Sequence, residues 1–312
     1  MPGSGYMAST ATALAALFVF YRILKARRPE RSNRIRPSEE RVVILGASSG
    51  LGRTLTRKYA ARGARVCAVA RRKEQLAQLA QECGDRCLSV AADFTDASDM
   101  VHLRETLLQE WGGLDTLHIC AGVSAVQPIM VLTGIKSNEE DAETAGIQHA
   151  VEIAGRATQG NFFGPLIAAT AFIPVMKRTS ASPAILLVSS VAAVVPAPTR
   201  ALYAATKAAS LLLFQSLAIE HPHITFTCVL PATIEGNFRA SAVDADPTQE
   251  METNKRGLKL EYIARRCADA VDRGTRGNVV VPWFPYAIAQ HLYNLWPSLI
   301  EKQARKKYNF TE

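Results

Sequence analysis

Tyr203 and Lys207 stand four residues apart, and Ser190 stands thirteen residues before the tyrosine. On a helix, a spacing of four puts two side chains on one face. A free phenol titrates at about 10, so at neutral pH it is a poor base. A lysine ammonium one turn away favours the phenolate. Such a tyrosine can pass a proton to or from a carbonyl oxygen. A serine hydroxyl can donate a hydrogen bond to that same oxygen. A bare Y-x-x-x-K is common by chance, so the reading depends on what positions these groups.

The apolar run Ile185-Leu186-Leu187-Val188 reads as a buried strand leading to Ser190, and residues 200–220 read as the helix that carries Tyr203. A hydroxyl at a strand's C-terminal end and a Tyr/Lys pair on the next helix can meet in the crevice of an open α/β sheet, where such folds bind ligands. Similar runs predict strands at 41–45, 64–70, 87–92, 114–120, 184–189, 224–230 and 278–281. Helical patterns fall at 53–62, 99–111, 148–177 and 258–273. This alternation predicts an α/β fold, a doubly wound parallel sheet of about seven strands with helices on both faces.

The first strand runs into Gly46-Ala47-Ser48-Ser49-Gly50-Leu51-Gly52 and then a helix. Strand, glycine-rich turn and helix form the setting of a dinucleotide loop. The glycines permit a tight turn and close approach of the backbone to a pyrophosphate, which the helix N-terminus faces. The second strand ends Val69-Ala70-Arg71-Arg72. A carboxylate near this place suits the ribose 2′-hydroxyl of NAD, whereas arginine suits a 2′-phosphate. Ala70 with Arg71 therefore favours NADP(H). Solvated charges at a helix start are the competing explanation.

The chain has 312 residues, 48% of them hydrophobic, enough for a substantial core. Its net charge is +8, of which residues 22–36 carry +6. A basic balance this local argues against a nucleic-acid surface. The six cysteines include no C-x-x-C, which argues against zinc. They fit free thiols in a reducing compartment.

Residues 8–24 are apolar up to Arg22, short of the roughly 20 residues of a full membrane span. With the basic flank that follows, they read as an N-terminal apolar helix that anchors the chain at residues 1–28. The positive flank places the catalytic body in the cytosol, as in the endoplasmic reticulum. A mitochondrial presequence is the second choice, and a cleaved signal or a helix lying flat on the membrane are others. Residues 29–40 read as a charged linker, and 41–312 as one domain with a substrate lid at about 235–257. The stretch between Gly122 and Asn161 includes an acidic loop, Ser137 to Asp141, that reads as a solvated insertion. The tail mixes Trp283, Phe284, Tyr286, Tyr293 and Trp296 with Lys302, Arg305, Lys306 and Lys307, which suits either a membrane interface or a core-packing helix.

Over roughly 41–282 these residues resemble the short-chain dehydrogenase/reductase family. Gly46, Gly50 and Gly52 match its glycine motif, and Asp93 with the Phe94 backbone its adenine side. Cys120-Ala121-Gly122 stands where Asn-Ala-Gly is usual. Ser190, Tyr203 and Lys207 match three catalytic residues, and Asn161 matches the fourth, which holds a relay water. Pro231 matches the start of the segment over the nicotinamide, and Ile234 would offer its backbone to the carboxamide. Ala232 and Gly236 depart from the family pattern there. The resemblance implies an NADP(H)-dependent enzyme interconverting a carbonyl and a secondary alcohol, with a lipophilic substrate and a possible homo-oligomer. Ser48, Ser49, Leu51, Ala121 and Gly122 would join the cofactor's binding site. Two other functions fit the same residues: an NAD-linked alcohol dehydrogenase, and a nucleotide-sensing or scaffolding protein that has lost catalysis.

Overall fold

The unbroken apolar runs become one sheet. The computed structural model describes residues 31–135, 137, 139–240, 242–245 and 257–310. The N-terminal apolar segment lies outside them, as does much of the expected lid. Seven strands form the sheet: β1 (Arg41–Leu45), β2 (Arg65–Ala70), β3 (Cys87–Ala91), β4 (Thr116–Ile119), β5 (Ala184–Val188), β6 (Thr225–Pro231) and β7 (Gly277–Val281). Their order is β3-β2-β1-β4-β5-β6-β7, and every pairing is parallel. The direction of winding reverses between β1 and β4, and a ligand crevice opens at such a point.

The helices are α1 (Gly50–Ala61), α2 (Lys73–Cys83), α3 (Ala97–Trp111), the single turn α4 (Ile129–Leu132), α5 (Thr144–Thr158), α6 (Gly164–Thr179), α7 (Ala201–Glu220), α8 (Leu260–Asp272), α9 (Tyr286–Leu295) and α10 (Pro297–Tyr308). Side chains alternate across a strand. Val43 and Leu45 therefore pack with residues of α3, α6 and α7 such as Leu103, Phe172 and Phe214. Val42 and Ile44 pack on the other face with Leu55, Leu76 and Ile263 of α1, α2 and α8. Helix α7 is long and apolar enough to cross a membrane, with a mean hydropathy of 1.4. It nevertheless carries Tyr203 and Lys207 and packs on β6.

Three expectations need correction. The helical pattern at 148–177 is two helices, because a π turn at Gln159–Phe163 separates α5 from α6. Gly160, Gly164 and Pro165 cluster there and weaken regular α-helical packing. The expected linker, described from residue 31, is docked at both ends of that stretch. Arg31 is 4% exposed and Glu40 2%. Arg31 donates to Glu40 at 2.6 Å, to Thr116 Oγ1 at 2.7 Å and to the Ser182 carbonyl at 2.7 Å. These bonds fix Arg31 and Glu40 at the N-terminal edge of the sheet, while residues 33, 34 and 36–39 between them are exposed. The aromatic tail does not pack into the core, and no residue of α9 or α10 is fully buried. In the insertion, Ser137, Glu139, Glu140 and Asp141 are exposed, as a solvated loop should be.

Candidate active site

A cavity of about 1790 Å³ runs along the C-terminal ends of the strands and is closed on one side by α9 and α10. It is lined by Gly46 after β1, Arg71 after β2, Asp93 after β3, Gly122 after β4, Ser190 after β5 and Ile234 after β6. The sheet thus gathers candidates that lie far apart in the sequence.

The nucleotide half is built on bare backbone. Gly46 has φ 89, and a Cβ there would lie 2.7 Å from the Ala121 nitrogen. A Cβ on Gly52 would lie 2.2 Å from the Gly46 carbonyl oxygen. These glycines let β1, the turn and α1 approach as closely as a pyrophosphate cradle requires. Gly50 and Leu51 begin α1, and Ser49 stands at its N-cap without a side-chain cap bond. Ala121 donates its N–H to Leu45 at 2.9 Å, which ties the end of β4 to β1. Asp93 Oδ1 accepts from the Thr95 N–H at 3.0 Å and its hydroxyl at 2.8 Å. Phe94 packs on Gly164, where a Cβ would meet its ring at 2.2 Å. Pro231 closes β6, and Ile234 bridges to Leu258 at the foot of the lid. Such a cradle fits a dinucleotide.

Arg71 and Arg72 both line the cavity, and Arg72 is the one bonded to the glycine turn. Arg71 is mostly exposed, and its nearest carboxylate oxygen, on Asp93, is 3.7 Å away. Arg72 donates to Ser48 Oγ at 2.8 Å and to Ser49 Oγ at 2.7 Å. Two adjacent arginines cannot be told apart until the strand's twist sets which one turns inward.

The reactive half brings Ser190, Tyr203 and Lys207 to the same cavity. Ser190 Oγ accepts from the Ala192 N–H at 3.1 Å, which fixes its rotamer. Lys207 is 4% exposed. Its Nζ donates to the Val188 carbonyl at 3.1 Å and lies 6.0 Å from the centre of the Tyr203 ring. Burial brings its ammonium down to about 8. Burial pushes the Tyr203 phenol above its ordinary value, while the Ser190 hydroxyl and then the Arg200 guanidinium oppose this. Arg239 opposes the rise as well. Asn161, completely buried in the π turn, accepts from the Val123 N–H at 2.9 Å and donates to the Val123 carbonyl at 2.9 Å and Thr206 Oγ1 at 3.0 Å. A Cβ on Gly122 would lie 2.8 Å from Asn161 Oδ1 and 3.0 Å from Lys207 Nζ, so all three residues meet there. Asn161 supports the loop after β4 and does not itself line the cavity.

Sequence reasoning missed the groups at the substrate end. Phe238 of the lid stacks edge-on against Tyr203, with centroids 6.2 Å apart. Asp244 accepts from the Val126 N–H at 2.8 Å and the Gln127 N–H at 2.8 Å, and ties the lid to the loop after β4. Ile288, Leu299 and Tyr308 of the tail line the same end, while Trp283, Phe284 and Trp296 are 66%, 68% and 64% exposed. Only the repeated aromatics hinted at this.

A doubly wound sheet with a glycine-turn cradle at the switch point is the Rossmann-like arrangement, a fold that can bind dinucleotides there. The chain belongs to the short chain dehydrogenase family, whose model matches residues 40–247. It is 32% identical to 11-beta-hydroxysteroid dehydrogenase-like 4A of Arabidopsis thaliana, over 77% of this chain and 75% of that protein. It is 28% identical to dehydrogenase/reductase SDR family member 7B of Bos taurus, over 85% and 82%. In fold it is similar to an alcohol dehydrogenase of the archaeon Thermococcus sibiricus complexed with 5-hydroxy-NADP, with a TM-score of 0.62 and 23% identity over 78% of this chain and 95% of that one.

Proposed function

We propose that this chain is an NADP(H)-dependent reductase that converts a lipophilic ketone to a secondary alcohol. The observation that carries the proposal is the meeting of Ser190, Tyr203 and Lys207 in one cavity with the glycine cradle. Gly46, Ser48, Ser49, Gly50, Leu51, Gly52, Asp93 and Phe94 would hold the adenosine and phosphates, with Arg72 beside the 2′-phosphate. Ala121, Gly122, Pro231 and Ile234 would border the nicotinamide. Bound there, NADPH supplies a hydride for the carbonyl carbon.

The chain's own residues handle the oxygen. Tyr203 keeps its proton at neutral pH, because burial raises its pKa, and it donates that proton to the carbonyl oxygen as the alcohol forms. Ser190 donates a hydrogen bond to the same oxygen and stabilises its developing charge. Lys207 would hold the ribose hydroxyls and pass a proton back to the tyrosine, and Asn161 keeps the lysine's wall in place. Apolar side chains such as Ile288 and Leu299 support a lipophilic substrate. The apolar segment 8–24 with its basic flank supports a membrane-anchored enzyme with a cytosolic body, and reporters fused to each terminus test that topology.

The test of activity is NADPH oxidation by the full-length protein with a panel of lipophilic ketones. Turnover of at least one is expected. NADPH binding with no turnover across the panel would favour the sensing or scaffolding function. A rate with NADH equal to that with NADPH would favour the NAD-linked dehydrogenase.

A further inference from the structure

Arg200 occupies a place where an ordinary helix has no use for a cation. It stands at the N-cap of α7 and makes no capping bond. Small polar residues are the usual choice there, and the positive end of the helix dipole repels a guanidinium. Thr199 before it has φ 61, a conformation rare for a β-branched residue. Arg200 is nevertheless only 7% exposed. A buried charge needs a partner. Its Nη1 donates to Ser124 Oγ and to the Ala125 carbonyl, each at 3.1 Å. Both acceptors are neutral. Among the described residues no carboxylate forms an ion pair with Arg200, and its Nε and Nη2 have no hydrogen-bond partner. Asp244 is the carboxylate whose charge it feels, and that group already accepts the N–H groups of Val126 and Gln127.

A second guanidinium faces the same space. Arg239 of the lid lines the cavity and, among the described residues, donates only to Thr233 Oγ1, at 3.3 Å. Burial first, and the Arg239 charge second, push Arg200 below its ordinary pKa. Both arginines line the one cavity, so an anion held there would be attracted by two positive charges. The positive end of the α7 dipole favours the same sign of charge. Leu260, Ile288, Leu292, Leu299 and Ile300 give that end much of its wall, beside the ammonium of Lys307 and the carboxylate of Glu235, which Lys259 pairs at 2.8 Å.

We propose that Arg200 and Arg239 seat an anionic group of the substrate, a carboxylate or a phosphate ester, on a body that is otherwise apolar. Arg200 is three residues from Tyr203, so the seat fixes one end of the molecule while its carbonyl lies beside the phenol. That placement rests on the carbonyl-reductase function; the anion seat itself does not. The cofactor's phosphates are the other possible source of negative charge, and the test separates the two.

Octanoate and 1-octanol are probes that differ in charge and share a chain length. Each is titrated calorimetrically into the full-length protein, with and without saturating NADPH. Octanoate should bind about tenfold or more tightly than octanol, the worth of one good charge interaction, and the preference should persist with NADPH bound. Arg200→Gln and Arg239→Gln should each reduce it about tenfold. Arg200→Lys keeps the charge and should keep most of the preference, which controls for misfolding. Equal binding of the two probes to the native protein overturns the proposal. So does loss of octanoate binding on saturation with NADPH, which would assign the arginines to the cofactor. Glutamine variants that lower the Tm but leave the preference intact would make the arginines structural and also overturn it. A preserved charge preference in a protein that turns over no ketone would leave the anion seat standing and remove the reductase function.

Discussion

Arg72 reaches from the end of β2 across the glycine turn to Ser48, donating to its hydroxyl through Nε at 3.1 Å and Nη2 at 2.8 Å. A guanidinium is the side chain best suited to a phosphate monoester, and the proposed NADP(H) preference assigns that part to Arg72. Arg72→Glu should weaken NADPH binding by about tenfold to a hundredfold and NADH binding much less. Arg71→Asp should have the smaller effect, since that side chain is 75% exposed. Fluorescence titration of both nucleotides checks this. Equal losses for NADPH and NADH in the Arg72 variant would mean that it only braces the turn.

Asp244 holds the lid to the loop after β4 by three main-chain bonds at 2.8–2.9 Å. Removing its carboxylate leaves the partly buried Val126 and Gln127 N–H groups without that acceptor, a loss of about 1 kcal/mol each. Asp244→Ala should raise the KM for the carbonyl substrate about tenfold and leave NADPH affinity nearly unchanged. A fall in NADPH affinity instead would place the latch on the nucleotide side.

Much of this arrangement was legible in the residues. Val42 to Leu45 and Ile185 to Leu187 read as buried strands because both faces of a central parallel strand are covered, and they are completely or almost completely buried. The glycine turn was legible because Gly46 and Gly52 have no room for a side chain. Other features depend on contacts between distant segments. Arg31 and Glu40 look like solvated charges until they are found paired inside the fold. Arg72 and Arg71 differ only in the direction they face. Asn161 matched a motif, but its side-chain bonds to Val123 and Thr206 exist only because the π turn carries it there.

His118 has no exposed surface, and its Nε2 lies 2.8 Å from the Tyr59 hydroxyl. Burial first, then the charges of Arg62 and Arg31, bring its pKa down to about 3. The folded state therefore keeps the ring neutral while the unfolded state protonates it below about 6.5. Because the unfolded state binds the extra proton, stability should fall as the pH drops from about 6.5 to about 3, by up to a few kcal/mol from this group. Thermal melts across that range check the sign. His118→Phe should flatten this part of the slope, and an unchanged slope would assign it to carboxylates instead.

The phenol of Tyr203 gives the most direct test. Its raised pKa keeps it protonated at neutral pH, so kcat/KM for ketone reduction should be level through neutrality and decline on the alkaline side. In Tyr203→Phe the ring remains and the proton donor is lost. NADPH titration and NADPH oxidation should both be measured on this variant with a ketone that the native protein reduces. Near-native NADPH affinity with a loss of turnover of about a hundredfold or more is the expected result; full turnover in the variant would contradict the assignment of Tyr203 as the acid.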